Sequence, residues 1–350
     1  MLRDLRYLMA YTVPATAFAG FYLGGGWAWL TFGYAFGLVP ALELAFRPAA
    51  EPVPGVAAAT EAKRHPFFDG LLYLNVPLLL LLLGYYLLRL RAGAFASPGS
   101  VAGAVLSMGI CLGAVGINVA HELGHRSRAW EQRLAQVLLL SSLYLHFFIE
   151  HNRGHHRHVA TPLDPATSRL HEPFWAFFPR AMRGEFRSAW HLETERLSRA
   201  ELPVRSLRHN QMWQFQAAQG LLLLAVGLGF GLSGVLAWLG AVVVGMLLFQ
   251  LVNYVEHYGL LRRQTASGQY ERVQTHHSWN SEHPLGRILL YELTRHSDHH
   301  YQAARPYQTL RFQPVSPQMP TGYPGMMLLA LVPPAWFRVM NKRVPAFNEQ

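Results

Sequence analysis

From Leu8 to Phe46 the chain carries no lysine or arginine, and its single acid is Glu43, near the end. One membrane-spanning helix needs about 20 apolar residues, so this run is long enough for two. Gly24-Gly25-Gly26 near its middle supplies a point of reversal, which predicts helices over 8–25 and 27–46. Further apolar runs predict spans over 71–88, 101–120, 213–231 and 235–255, six in all. The first run continues without the small-residue cleavage site and polar mature chain that follow a signal peptide, so it is expected to be retained. Two stretches are less regular. Leu134 to Phe148 is short and contains His146, which fits a half-buried or interfacial helix, and Met326 to Trp336 is broken by Pro333-Pro334.

An even number of spans puts both termini on one side, together with the loops 47–69 and 121–212. Of the 30 lysines and arginines, only Arg89 and Arg91 fall on the opposite face, and the bias of basic loops toward the cytoplasm orients the chain accordingly. The expected architecture is an all-α integral membrane protein. A single domain, 1–350, forms a six-helix bundle in the cell inner membrane, with a His-rich cytoplasmic cap built from 121–212 and 257–350. Both termini and the active site lie on the cytoplasmic side in this reading. Apart from the Ala/Pro-rich stretch 48–60 there is no linker, and there is no internal repeat.

Composition agrees with this picture. Only 14% of residues are charged and 51% are hydrophobic, against about 25% charged in a soluble domain. The net charge of +10 is divided among loops by apolar runs, so it reports orientation, and no nucleic-acid partner is expected. The single cysteine, Cys111, excludes a disulfide framework, a CxxC redox pair and any four-cysteine metal site. A bound metal must be held by histidine.

All but one of the 18 histidines lie at or after position 121, many of them clustered. His121 and His125, at i and i+4, share a helix face at the end of the fourth span. His151, His155 and His156 form a second cluster, and His296, His299 and His300 a third. His257 stands alone where the sixth span leaves the membrane. The HELGH sequence at 121–125 matches the H-E-x-x-H pattern of zinc peptidases, but such a site needs about three protein ligands, and the other clusters would then have no role. Nine candidate ligands are too many for one ion and suit two with open positions; imidazole alone does not select among iron, copper, zinc and nickel. A metal transporter would place ionisable residues at mid-membrane, whereas these gather at helix ends and in loops. Glu122, Glu150, Glu256 and Asp298 adjoin the candidate ligands and are candidate partners for their second ring nitrogens. His146, His171, His191 and His209 are isolated and read as ordinary structural or surface residues.

HELGHR at 121–126, HFFIEHNRGHH at 146–156, NYVEHYGL at 253–260 and LTRHSDHH at 293–300 resemble the signature boxes of the integral-membrane alkane monooxygenases. The likeness extends to ATPLDPATSR at 160–169, HHSWNSEH at 276–283 and PTGYPGMMLLALVPPAWFRVM at 320–340. The His-rich boxes are shared with the wider membrane desaturase and hydroxylase superfamily; NYVEHYGL points to the alkane branch. The resemblance implies a non-haem centre of two Fe ions, O2 as oxidant, and hydroxylation of medium or long n-alkanes at the terminal carbon. Carried over box by box, it implies as ligands His121, His125, His151, His155, His156, His257, His296, His299 and His300. Thr294 stands where glutamine is usual and Tyr301 where a small residue is usual, which puts the pocket edge there in question. His276 and His277 are expected near the site and outside the ligand set.

An unactivated C–H bond offers no polar handle for acid–base chemistry, so a metal must carry the reaction. Alkanes dissolve in the bilayer, where each buried CH2 is worth about 0.8 kcal/mol, and a narrow passage between helices would admit them end-on. Ala35 and Phe36, in the aromatic-rich second span, are candidates for the closed end of that passage. With no cysteine iron site, the electrons must come from outside; the resemblance implies a separate rubredoxin and its NAD(P)H-dependent reductase, with Arg153, Arg157, Arg262 and Arg263 as attractors for an acidic carrier. The rival reading within enzymes is a hydroxylase or desaturase of another apolar substrate, such as a fatty acyl chain, a methyl-arene or a terpene.

Overall fold

Gly24 and Gly25 adopt φ of 70° and 52°, a region that glycine reaches without strain, and the chain reverses there. The helix Thr12–Leu23 then runs back along Gly25–Ala45. Thr12 Oγ1 lies 2.7 Å from the Tyr34 hydroxyl, and Thr16 Oγ1 lies 3.3 Å from Thr31 Oγ1. Nearer the turn the backbones almost touch, since a Cβ on Gly20 would stand 2.6 Å from the Trp27 carbonyl oxygen. This computed structural model describes residues 4–46 and 65–348, so the 48–60 stretch lies outside the described residues.

Among the described residues, four helices are long and apolar enough to cross a membrane: Gly25–Ala45, Pro66–Arg91, Pro98–Gly124 and Gln211–His257. They fit an integral membrane protein. The last has 47 residues; as one rod it would measure about 70 Å, more than twice the hydrocarbon thickness of about 30 Å. It is broken at Gly231, where φ is 67° and ψ is −172°. Gln219 Oε1 accepts from Leu145 N, while Gln250 Nε2 donates to the Tyr144 hydroxyl. Both halves therefore meet adjacent residues of one loop, and the segment is folded back on itself near Gly231. Arg89 donates to the carbonyls of Phe21 and Tyr22, and Arg91 to that of Gly229. The two basic residues assigned to the opposite face thus cap helix ends beside the two glycine reversals, an arrangement that the helix dipole favours.

The core of the bundle is the contact of Pro98–Gly124 with the second half of Gln211–His257. Gly109, Gly113 and Gly245 bring the backbones close, and a Cβ on Gly109 would fall 2.4 Å from Val244 Cβ. Small residues at helix contacts allow this approach where lipid offers no hydrophobic drive. Ser97 and Ser100 form a reciprocal cap at the start of the helix. Among the described residues three segments wind as π-helix: Tyr34–Leu38, Leu112–Ile117 and His151–His155.

The remaining helices cover one end of the bundle. The 134–148 stretch divides between Ala129–Ser141 and His146–Glu150, and the chain breaks at Pro333 between Tyr323–Ala330 and Pro333–Met340. Phe174–Arg199 packs across the cap and against Gln211–His257. Among the described residues there are no strands, only two isolated bridges, Gln264 with Tyr270 and Asn280 with Gln318.

Candidate metal centre

His121 and His125 sit at the end of Pro98–Gly124, one turn apart. The segment 146–158 faces them. In an α-helix a residue at i+5 lies about 140° around the axis, so His151 and His156 would point apart. The π-helical turn His151–His155 removes most of that angle, and the two Nε2 atoms stand 3.0 Å from each other. The same inserted residue turns His155 the other way. The short helix His296–Tyr301 divides its histidines similarly between two directions.

The result is two groups of imidazoles. His121, His125, His151, His156 and His299 form one; His155, His257, His296 and His300 form the other, and the nitrogens of each group lie within 4.8 Å of one another. Every close approach is between Nε2 atoms. In the first group His121 stands 2.8 Å from His299, and His125 stands 3.1 Å from His151 and 3.0 Å from His156. In the second, His155 stands 3.2 Å from His300, His300 2.9 Å from His296, and His296 3.1 Å from His257. The groups abut, with the rings of His156 and His300 centred 4.5 Å apart. The structure thus brings together all nine histidines of the four boxes, and none of His146, His171, His191 and His209.

This donor set fits metal ions. Imidazole nitrogens bound about 2.1 Å from one ion, at right angles, stand about 3 Å apart, which is the spacing found here. Burial, and after it the neighbouring imidazoles, push His156, His299 and His300 well below the ordinary imidazole pKa. These three rings are therefore held neutral, as ligation requires.

Of the four carboxylates adjoining the clusters, Glu256 reaches a ring: Oε2 lies 3.2 Å from His296 Nε2, and Oε1 accepts from the Tyr323 hydroxyl. Glu122 accepts from Arg126 and from Tyr307 N, Glu150 from Ser188, and Asp298 from Arg305, Arg311 N and Gln313. The acid that meets a ligand candidate at Nδ1 is Asp164, with Oδ2 at 3.0 Å from His155. Sequence reasoning did not single it out, although it lies within the quoted ATPLDPATSR segment. His276 and His277 form a separate cluster with Glu271. There Gln274 N donates to His277 Nδ1, which leaves the ring proton on Nε2, facing Glu271 Oε1 at 3.4 Å.

An apolar chamber of ≈ 730 Å³, counting its open mouth, lies inside the bundle. Ala35 and Phe36 line it, on the π-helical turn of the second helix, and Gly113 and Ala114 line it from the π-helical turn of Pro98–Gly124. A smaller cavity, the neck, is walled by His121 and His299, and the two cavities share Asn118, Leu290 and Leu293. Positions 114, 118, 121 and 125 recur at helical spacing, so a single helix face runs from the chamber through the neck to the five-histidine group.

The fatty acid desaturase family profile matches residues 96–330. An alkane 1-monooxygenase of Pseudomonas aeruginosa is 41% identical over 92% of this chain and 85% of its own. The chain belongs to the alkane 1-monooxygenase family. Another family member, from Pseudomonas putida, is 38% identical over 95% of this chain and 83% of its own. The xylene/toluene monooxygenase hydroxylase component of Pseudomonas putida is more distant, 31% identical over 97% of this chain and 88% of its own.

Proposed function

We propose that this protein is a non-haem di-iron monooxygenase that hydroxylates the terminal carbon of medium and long n-alkanes with O2. The observation that carries the reading is the helix face that links an apolar chamber to a histidine-only metal centre. His121, His125, His151, His156 and His299 would hold one iron, and His155, His257, His296 and His300 the other. Iron held there supplies the O2 activation that an inert C–H bond requires.

The chain's own residues do the rest. The chamber walls, among them Ala35, Phe36, Ile110 and Leu289, bury the hydrocarbon and exclude water. Leu290 and Leu293 narrow the passage, so that a chain enters with its end toward His121 and His299. Asp164 holds the proton of His155 on Nδ1 and keeps Nε2 free for ligation. Arg126 ties Glu122 and Asp69 together beside His125 and fixes the end of the ligand-bearing helix.

In this proposal each glycine reversal separates two spans, giving six. The His-rich cap of a single domain then lies on the cytoplasmic side of the inner membrane, where a rubredoxin and its NAD(P)H-dependent reductase deliver electrons. The 31% identical xylene/toluene relative supports a methyl-arene as the second reading. Turnover under labelled O2 with n-octane, n-hexadecane and p-xylene separates them. The expected product is labelled 1-alkanol; an alkene, or labelled 4-methylbenzyl alcohol with no alkanol, overturns the proposal.

A further inference from the structure

The neck between the chamber and the metal centre carries more polar groups than an alkane can use. Of these, His121 and His299 belong to the metal centre, and Glu122 is held by Arg126 and Tyr307 N. The Tyr291 hydroxyl receives a hydrogen bond from Asn75 Nδ2 at 2.9 Å. That leaves Asn118, which lines both cavities and sits one turn before His121. Its Nδ2 donates to the Leu290 carbonyl at 3.2 Å, which fixes the amide plane, and no described residue donates to Oδ1. Asn118 is 5% exposed. An acceptor that no protein group pairs is an odd feature for a site meant only for hydrocarbon.

We propose that Asn118 is a hydroxyl-binding residue, and that it holds a primary alcohol whose tail remains in the chamber. This rests on the function proposed above and adds to it a specificity for the product over the substrate. The geometry separates the two ligands. A methyl end at the neck gains nothing from Oδ1, whereas an alcohol at the same place donates its O–H to it. The tail contributes equally in both cases, because the chamber walls are apolar. Asn118 therefore sets the ratio of alcohol to alkane affinity and leaves the affinity for the chain itself to the chamber.

The test is equilibrium binding of radiolabelled 1-octanol, n-octane and 1-methoxyoctane to iron-loaded protein in micelles, for wild type and Asn118→Leu. Leucine fills nearly the same volume without a polar atom. A hydrogen bond of ordinary strength predicts that the variant binds 1-octanol about fivefold to tenfold more weakly. Binding of n-octane, and of the ether that has no O–H to donate, should change less than about twofold on the same basis. Equal weakening of all three ligands, or unchanged octanol binding, overturns the proposal. Asn118→Ala gives the same comparison if the leucine variant does not load iron, with octanol again weakened relative to octane. Because no turnover is involved, failure of the labelled-O2 assay would count against the proposed reaction and leave this measurement standing.

Discussion

His155 Nδ1 stands 3.0 Å from Asp164 Oδ2 while its Nε2 stands 3.2 Å from His300 Nε2, so a single ring joins a buried acid to the four-histidine group. Asp164 is itself anchored by Ala166 N and the Thr167 hydroxyl, which leaves the ring little freedom to turn. Asp164→Ala should lower metal affinity about 10-fold to 100-fold, the usual cost of losing such a partner. Iron retained against a graded series of chelators measures it; retention equal to wild type would remove Asp164 from the account.

Ala35 and Phe36 line the chamber on one π-helical turn, opposite Gly113 and Ala114 on another. A tryptophan at position 35 fills space that the substrate chain would occupy. Ala35→Trp should shift the longest accepted n-alkane downward by several carbons, with iron content unchanged. Turnover across C6 to C16 alkanes reads this directly, and an unchanged length profile contradicts it.

The histidines of the centre give the fold a pH dependence of definite sign. Burial and neighbouring imidazoles hold His156, His299 and His300 well below the ordinary imidazole value of 6.5. Below that value the unfolded chain takes up protons that the folded chain refuses, so stability falls as pH falls. Chelator-stripped protein should show a lower Tm at pH 5.5 than at pH 7.5, and bound iron, which only neutral rings hold, should raise both values without removing the difference. A Tm independent of pH in the stripped protein would contradict the burial of these rings.

Gly231 combines φ of 67° with ψ of −172°, a region essentially restricted to glycine. A Cβ there would meet nothing within 4 Å, so the cost of Gly231→Ala is conformational, of order 1–3 kcal/mol. A clear drop in Tm is expected in detergent micelles; an unchanged Tm would mean that the reversal does not depend on this backbone shape.

The sequence was most legible where chemistry and spacing coincide. Eight of the nine box histidines could be picked out because imidazoles recur within a few residues of each other, His257 stood out only by its place at the end of a span and in the NYVEHYGL segment, and Gly24-Gly25-Gly26 marked a reversal that polar content alone would have missed. The carboxylates were harder to place. Glu122 and Asp298 are chain neighbours of ligand candidates, but successive residues on a helix do not face each other. Their side chains leave the ring face and meet Arg126 and Arg305. Asp164, nine positions beyond His155, reaches the ring only because the loop after 158 folds back beneath it. The π-helical turns also carry no pattern in the hydrophobic periodicity, although one of them decides that His151 and His156 point together while His155 points away.

The separation of the histidines into five and four is tested most directly by counting metal. Iron per chain should be close to two in protein purified from iron-replete cells. His299→Ala should lower that content and abolish turnover, whereas His191→Ala, outside both groups, should leave both nearly intact. A ratio of one ion per chain, or full occupancy by zinc with O2-independent activity, would contradict the di-iron centre.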